Sequence, residues 1–496
     1  MFIDLSGFTR LTEKLMQKGP EGAEELSYAL NHIFQPTVAL VYAQGGFIPY
    51  FAGDSFTAIF PGSTAVEMTN VALSVLQTGQ STLRRFMGDL EEEDSVLAEN
   101  NIGIKIGLSE GEVEWGIVGD RRKTYYFRGD PIEGCAQAQT HANSLEMVCD
   151  ERFAKLAKQN NAEVQAIDGG FYKLKPQAWS LPDLPKKTQA LPQPDPELMS
   201  HFLPSEVFSN PGIGEFRTVV SVFLSFTGVS DHNALNHLAT SVLDQSLNFG
   251  GYFKEIDFGD KGGLMFILFG APISFENNTE RALEFVSAVQ DDLRNLEDVT
   301  GARYRIGMAA GMAFTGVIGS GERCQYAAVG ARVNLGARLM AKAAWGEVLA
   351  DDNVQRNRNF KFQFRGEDHY KGFEQSLPAY VLTGRNLSGR ASFSGEYVGR
   401  ESELQILLKF ATPLREGRFS GMAFVFGEAG IGKSRISFEL RRNLRDNMAV
   451  SWFTCQSDQI LRKPFNPFIY FLKNYFEQSP ENSVERNREL FDNNFL

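Results

Sequence analysis

The sequence predicts an α+β chain in which two copies of a βαββαβ, ferredoxin-like unit form a pseudo-symmetric pair and the start of a separate α/β unit follows them. Three observations carry this. First, GGFIPYFAGDSFTAIF (45–60), IGLSEG (106–111) and GIVG (116–119) return, in the same order and at nearly constant offset, as GGYFKEIDFGDKGGLMFILF (250–269), IGMAAG (306–311) and GVIG (316–319). A shared order of three anchors marks an internal repeat, and two copies are too few to stack as a solenoid, so they are expected to pair. Second, strand-like and helix-like periodicities alternate within each copy, with Gly129 and Gly330 each standing before a helix-like stretch. Third, a stiff linker at 176–211 holds eight of the chain's 19 prolines, and a Ser/Gly cluster marks a second break at 386–396. The divisions that follow are 1–175 and 216–385 for the copies, 176–215 for the linker and 396–496 for the third unit.

The first copy opens on the apolar Phe2 and Ile3, read as the second half of a strand that ends at Asp4, so the chain reads as cut at its start as well as at its polar end. Leu26, Leu30, Ile33, Phe34, Val38 and Val41 keep helical spacing. Residues 33–53 carry no charge over a length that could span a bilayer, but Gln35, Pro36, Gln44, Gly45, Gly46 and Pro49 within it read as helix end, turn and buried hairpin. Thr64 and Glu67 make a capping box for the next helix. The Gly-punctuated apolar runs 47–60 and 102–118 read as hairpins. Together these elements predict helices on one face of a mainly antiparallel sheet.

Composition narrows the function. At 496 residues and 43% hydrophobic the chain is globular, with length for two to four domains that each bury a core. Lys and Arg number 49 against 61 for Asp and Glu, a net charge of −12, which argues against a nucleic-acid surface or an anionic-membrane anchor. Cys135, Cys149, Cys324 and Cys455 lie far apart and the six histidines form no ligand spacing, so neither a disulfide framework nor a zinc site is expected. No basic-then-apolar leader is present. A soluble protein of the reducing cytoplasm, without a transmembrane segment, is the expectation.

The chemistry-bearing residues are divided between the copies. Asp4 and Asp54 would project from adjacent strand ends if their strands are neighbours, and such a carboxylate pair could hold two divalent ions for phosphoryl transfer. Taken singly, each is more ordinarily a turn aspartate. The second copy shifts the balance, because the matching positions are Leu224 and about Gly263, neither a carboxylate. That copy supplies a complement instead: Asn334 and Arg338 stand i, i+4 on one helix face, an amide able to meet a sugar beside a cation able to meet a phosphate. An exposed Arg on an amphipathic helix is the plainer reading of that spacing. The first copy has Glu133 and Gln137 there. Metal ligands in one copy and polar-basic groups in the other point to one composite site, and to a matching cleft on the opposite side that is not catalytic and is free to serve as an allosteric pocket.

FIDLSGFT (2–9), FAGDSF (51–56) and VGARVNLGARL (329–339) resemble the signatures of class III nucleotidyl cyclases, and the order of two such domains before a P-loop NTPase is similar to that of soluble adenylyl cyclases. The resemblance implies that Asp4 and Asp54, helped by the backbone of Ile3, bind two Mg²⁺ or Mn²⁺ ions, that Asn334 orients the ribose of ATP, and that Arg338 stabilises charge on the α-phosphate. It implies that Lys261, in DKGGLMF, contacts the adenine, with Ala327 at the partner position where the family usually has Asp or Thr; one base-reading hydrogen bond is then lost, which leaves GTP open as substrate. Tyr50 and Ala136 stand where bicarbonate-responsive members carry basic groups, so no bicarbonate activation is expected.

In the third unit, YVGRESEL and the apolar run MAFVF (422–426), read as a strand, precede GEAGIGKS (427–434) and the helix-like RISFELRRNL. This fits GxxxxGK[ST], in which Gly427, Gly430 and Gly432 shape a phosphate cradle, Lys433 reaches the β/γ-phosphates and Ser434 meets Mg²⁺. No later apolar run ending in Asp follows, so nucleotide binding without hydrolysis is the expectation for this stretch. Two functions remain open on sequence alone: a cyclase making cyclic AMP at one composite site, or a non-catalytic nucleotide-binding regulator of an NTPase switch.

Overall fold

The computed structural model describes all residues except 89–101, 176–194, 205–206, 208–213, 230, 260–261, 276, 301, 371–372, 374, 387–396, 428–431, 448–451, 454, 456–464, 477, 479–483 and 496. The chain divides into two compact units, Met1–Thr383 and Gly384–Leu496.

The first copy runs β1 (Phe2–Ser6), α1 (Phe8–Met16), α2 (Pro20–Ala43), β2 (Phe51–Ala52), β3 (Ser55–Thr57), α3 (Ala65–Gly88) and β4 (Gly103–Leu108). It continues through β5 (Glu114–Val118), β6 (Thr124–Arg128), α4 (Asp130–Thr140), β7 (Glu146–Cys149), α5 (Glu151–Gln159), β8 (Val164–Ala166) and β9 (Tyr172–Leu174). The sheet order is β2-β3-β1-β4-β7-β9-β8, antiparallel except for the parallel pair β4 and β7. Strand alternation sends Ile3 and Leu5 into the core with Leu26, Leu30, Phe34 and Val38 of α2. Helix α2 continues through Pro36, and α3 starts on the expected box, Glu67 N–H donating to Thr64 Oγ1 while Thr64 N–H donates to Glu67 Oε2.

Two expectations are corrected here. Strand β1 does not end at Asp4 but runs on to Ser6, which makes Asp4 its middle residue. The helices do not share one face, because α4 lies against β4 on the face opposite α2. Gly107 permits that approach: a Cβ there would sit 1.9 Å from the Cys135 carbonyl oxygen, and one at Gly307 of the second copy 2.1 Å from the Met340 nitrogen.

After the linker helix α6 (Pro196–Phe202), the second copy runs β10 (Glu215–Thr227), α7 (His232–Phe249), β11 (Tyr252–Gly259), β12 (Gly262–Phe269), α8 (Asn278–Thr300) and β13 (Arg303–Gly319). It ends with β14 (Cys324–Val329), α9 (Ala331–Lys342), β15 (Val348–Ala350), α10 (Asp352–Gln355), β16 (Phe360–Asp368) and β17 (Leu377–Arg385). The sheet order, β11-β12-β10-β13-β15-β17-β16, matches that of the first. Strand register corrects one correspondence: Asp4 faces Lys105 while Ser225 faces Arg305, and Gly7 and Gly228, each three residues on, share a left-handed φ of 87° and 82°. Ser225, not Leu224, is therefore the counterpart of Asp4. Ser55 faces Asp4 as Leu264 faces Ser225, which keeps Gly263 as the counterpart of Asp54.

The copies close on each other by exchanging arms. Residues 102–118 are not the expected hairpin, because β4 stays in the sheet while β5 pairs with β6 as a separate ribbon. That ribbon rests on the second copy, with Tyr126 against His232 and Phe258. In return Phe314, Ile318, Ala327 and Val329 of β13 and β14 join the first copy's core. The exchange is reciprocal in its hydrogen bonds: Gly119 N–H donates to Asn236 Oδ1 at 2.8 Å, and Gly319 N–H to Asn31 Oδ1 at 3.2 Å.

The second unit contains α11 (Glu401–Phe410), α12 (Lys433–Asn447), α13 (Asn466–Tyr475) and α14 (Val484–Phe495). Its MAFVF run forms no strand, and Met422, Phe424 and Phe426 are exposed. Past the end of β17 at Arg385, no strand among the described residues of this unit is present to take its backbone hydrogen bonds. Among the described residues no helix is long and apolar enough to cross a membrane.

Candidate active site

Asp4 sits on β1 between β3 and β4, directly opposite Ser55. Asp54 occupies the turn between β2 and β3, where Gly53 takes φ 68° and the Leu5 N–H donates to the Asp54 carbonyl at 3.1 Å. The two aspartates are thereby tied to adjacent strands, the condition the sequence left open, with Asp4 in mid-strand and not at a strand end. Alternation points Asp4 away from the core and toward α4, whose Gln139 Nε2 donates to Asp4 Oδ2 at 2.8 Å. Two carboxylates and the Ile3 carbonyl are hard oxygen donors of the kind that suits Mg²⁺ or Mn²⁺. Among the described residues no cluster of three or more His, Cys, Asp or Glu side chains is found, so the substrate's own oxygens would have to complete such a coordination sphere.

Helix α9 buries Val333, Leu335, Leu339 and Met340 and leaves Asn334 and Arg338 half-buried on the remaining face. Its other arginine, Arg332, is committed to Asp351 and Asp352 at 2.8 and 2.9 Å. Arg338 instead feels Asp54 across the boundary between the copies: burial lowers its pKa and the Asp54 charge pushes it back up. A carboxylate of the first copy, Asp54, and an arginine of the second, Arg338, are thus close enough for the charge of one to act on the other. The counterparts on α4, Glu133 and Gln137, are exposed. In the opposite cleft Tyr50 donates to Asp257, whose pKa burial lifts to about 6.

Lys261 and Gly430 lie outside the described residues. Ala327 is fully buried in the core shared by the copies. Sequence reasoning passed over Lys254: its ammonium, at the boundary, donates to the Phe51 carbonyl and to Glu255, each at 2.6 Å, and Gln325 links Glu255 to the Phe51 N–H. An adjacent Lys-Glu pair inside an apolar strand was the signal available. Gln139 was also missed, since a glutamine in a helix carries no motif. In the second unit Gly432 precedes α12, Lys433 opens it beside Ser434, and Lys433 Nζ donates to the Gly427 carbonyl at 2.9 Å.

The hydrogen bond from Gln139 has a measurable consequence. Gln139→Ala should raise the Mn²⁺ concentration needed for half-maximal turnover by about tenfold, because groups that orient metal ligands are typically worth that much in metal affinity. The rate at saturating Mn²⁺ should change far less. A metal titration of initial rates checks this, and an unchanged midpoint would remove Gln139 from the support of Asp4.

Residues 1–177 and 209–384 match the family model described as adenylate and guanylate cyclase catalytic domain, and 396–495 match that of an AAA ATPase domain. Adenylate cyclase type 10 of Oryctolagus cuniculus is 23% identical over 499 residues, and that of Homo sapiens 24% over 496, each alignment covering 89% of this chain and 30% of the relative. The chain therefore spans under a third of the length of these relatives. Among solved structures, the guanylyl cyclase Cya2 aligns at 24% identity over 35% of this chain and 95% of that chain, with a TM-score of 0.32. With the cyclase model matching 1–177 and 209–384, more than half of its residues, the chain belongs to the adenylate and guanylate cyclase catalytic domain family.

Proposed function

We propose that the paired copies convert ATP to cyclic AMP and pyrophosphate at the single cleft where Asp54 of one copy meets Arg338 of the other. That convergence carries the reading, because the groups that meet there are those that cyclisation requires and the opposite cleft has Ser225 and Gly263 in place of the carboxylates. Asp4, Asp54 and the Ile3 carbonyl would hold the two Mg²⁺ or Mn²⁺ ions. When bound, these supply Lewis-acid polarisation of the ribose 3′-hydroxyl and neutralise the triphosphate. Asn334 orients the ribose by hydrogen bonding. Arg338 stabilises charge that grows on the α-phosphate as pyrophosphate departs, so its contribution is larger in the transition state than in the ground state.

GTP is the second substrate to weigh, because Ala327 presents only a methyl group in a fully buried setting and cannot hydrogen-bond a base. Chromatography of products after incubation with ATP or GTP and Mn²⁺ or Mg²⁺, beside Asp54→Asn and Arg338→Ala, tests the whole reading. Cyclic AMP from the parent alone supports it, and cyclic GMP alone keeps the mechanism while overturning the base. Nucleotide binding with no cyclic product would favour a regulatory module acting with the P-loop unit. If Lys261 contacts the base, Lys261→Glu should lower the ATP to GTP ratio of kcat/KM by about 3- to 10-fold, the worth of one hydrogen bond. An unchanged ratio would show that the base is read elsewhere.

A further inference from the structure

A cavity of about 840 Å³ lies where the tips of both exchanged arms meet the linker helix α6, the end of α7 and the start of β11. None of Asp4, Asp54, Asn334 or Arg338 lines it. Its volume falls within the range of small-molecule sites, and such sites favour boundaries between domains.

The lining specifies a ligand chemistry. Seven aromatic side chains contribute to the wall, Tyr50, which donates to Asp257, together with Tyr125, Phe202, Tyr252, Phe253, Phe275 and Tyr326, which suits stacked or edge-on contact with an aromatic body. The charged groups divide unequally. Lys254 and Glu255 neutralise each other at 2.6 Å. Arg122, Lys123 and Arg323 then face Glu322 alone, and among the described residues none of these three cations has a carboxylate partner. Arg122 donates to the carbonyls of Ser200 and Leu203 on the linker side, and Arg323 to those of Ile48 and Pro49, so backbone acceptors hold both guanidiniums at the cavity without cancelling their charge. Tyr252 is 94% buried, its ring is edge-on to Tyr326, and among the described residues its hydroxyl has no hydrogen-bond partner. That hydroxyl is not sealed from solvent but opens on the cavity, where a ligand oxygen can take the place of water.

We propose that this cavity binds an aromatic organic anion, with the ring system against Phe202, Phe275 and Tyr326, an oxygen accepting from Tyr252 and the acidic group near Lys123 and Arg323. The site is separate from the proposed cyclase cleft and does not depend on that reading.

Titration of the full chain with 8-anilinonaphthalene-1-sulfonate, followed by fluorescence and by calorimetry for stoichiometry, tests this. One equivalent should bind, Tyr252→Phe should weaken it by about 3- to 10-fold through loss of one hydrogen bond, and Lys123→Glu by about tenfold or more with a reduced salt dependence. Both variants should keep the parent's thermal midpoint within a few degrees, Lys123 because it lies at the rim and Tyr252→Phe because the ring is retained. Unaltered affinity in both variants would mean the probe sits elsewhere and would overturn the proposal, as would the absence of binding. Displacement of the probe by saturating non-hydrolysable ATP analogue would assign the cavity to the substrate site and equally overturn it.

Discussion

Arg338→Ala is expected to lower kcat by about 10²- to 10³-fold while leaving KM for the nucleotide within a few-fold of the parent. The asymmetry follows from what Arg338 faces. Its guanidinium lies at a partly buried boundary opposite Asp54, where charges interact more strongly than in bulk water. In the ground state the triphosphate's charge is shared with the groups that hold it, but charge at the α-phosphate rises only as the bond to pyrophosphate breaks. A cation held in place before that moment acts chiefly on the barrier. Folding should be spared, because the residues that seat α9 are Val333, Leu335, Leu339 and Met340, and its N-terminal anchor is Arg332 with Asp351 and Asp352. Steady-state kinetics beside a thermal melt check both halves of the expectation. Arg338→Lys should recover part of the rate, since it returns a charge but not the planar fork that meets two phosphate oxygens. A rate equal to the parent's in Arg338→Ala would remove this residue from the mechanism.

What the sequence shows of this architecture depends on whether a feature is local. The helical spacing of Leu26 to Val41 and the Thr64–Glu67 box are set by neighbours along the chain, and both appear as read. The repeat makes the pairing of two like sheets legible, because glycines such as Gly107 and Gly307 are needed wherever a helix packs close to a strand. The arms were not legible in this way. An apolar run with glycines reads as a hairpin whether its partner is its own sheet or another domain, and only the burial of Tyr126 against Phe258 decides that β5 and β6 reach across. The shift from Leu224 to Ser225 has a similar cause: a one-residue slip moves every side chain to the other face, and short motifs do not fix register where the paired strand does.

The site follows the same rule. Asp4, Asp54, Asn334 and Arg338 stand in motifs and are legible as motifs, but the electrostatic influence of Asp54 on Arg338 joins residues far apart in the chain. Gln139 and Lys254 act only through tertiary partners, Asp4 in one case and the Phe51 carbonyl in the other, and no spacing announces such a partner. The MAFVF run shows the converse. Its composition is that of a strand, yet a strand exists only where a neighbour takes its hydrogen bonds.

Asp54→Asn should reduce turnover in Mg²⁺ or Mn²⁺ by about 10³-fold or more, the scale of several kcal/mol that metal assistance supplies in phosphoryl transfer. Asparagine keeps the size of the side chain and tolerates turns, and the backbone that sets this turn, Gly53 at φ 68° and the Leu5 N–H on the residue 54 carbonyl, is untouched. What is lost is one negative charge of two, and with it a hard anionic donor. A direct readout separates this from a folding defect: calorimetric titration with Mn²⁺ in the presence of a non-cyclisable ATP analogue should show weaker metal binding in the variant at an unchanged melting temperature of the metal-free protein. The charge also balances Arg338, so the pKa of that guanidinium should fall further when Asp54 is neutralised, without leaving the range in which it is protonated. Asp4→Asn should behave in the same way, and the double variant should be no worse than either single one, because two donors to one site act as a unit. Normal Mn²⁺ activation in Asp54→Asn would instead show that the metal is held elsewhere, and the composite cleft would lose the residue on which its assignment rests.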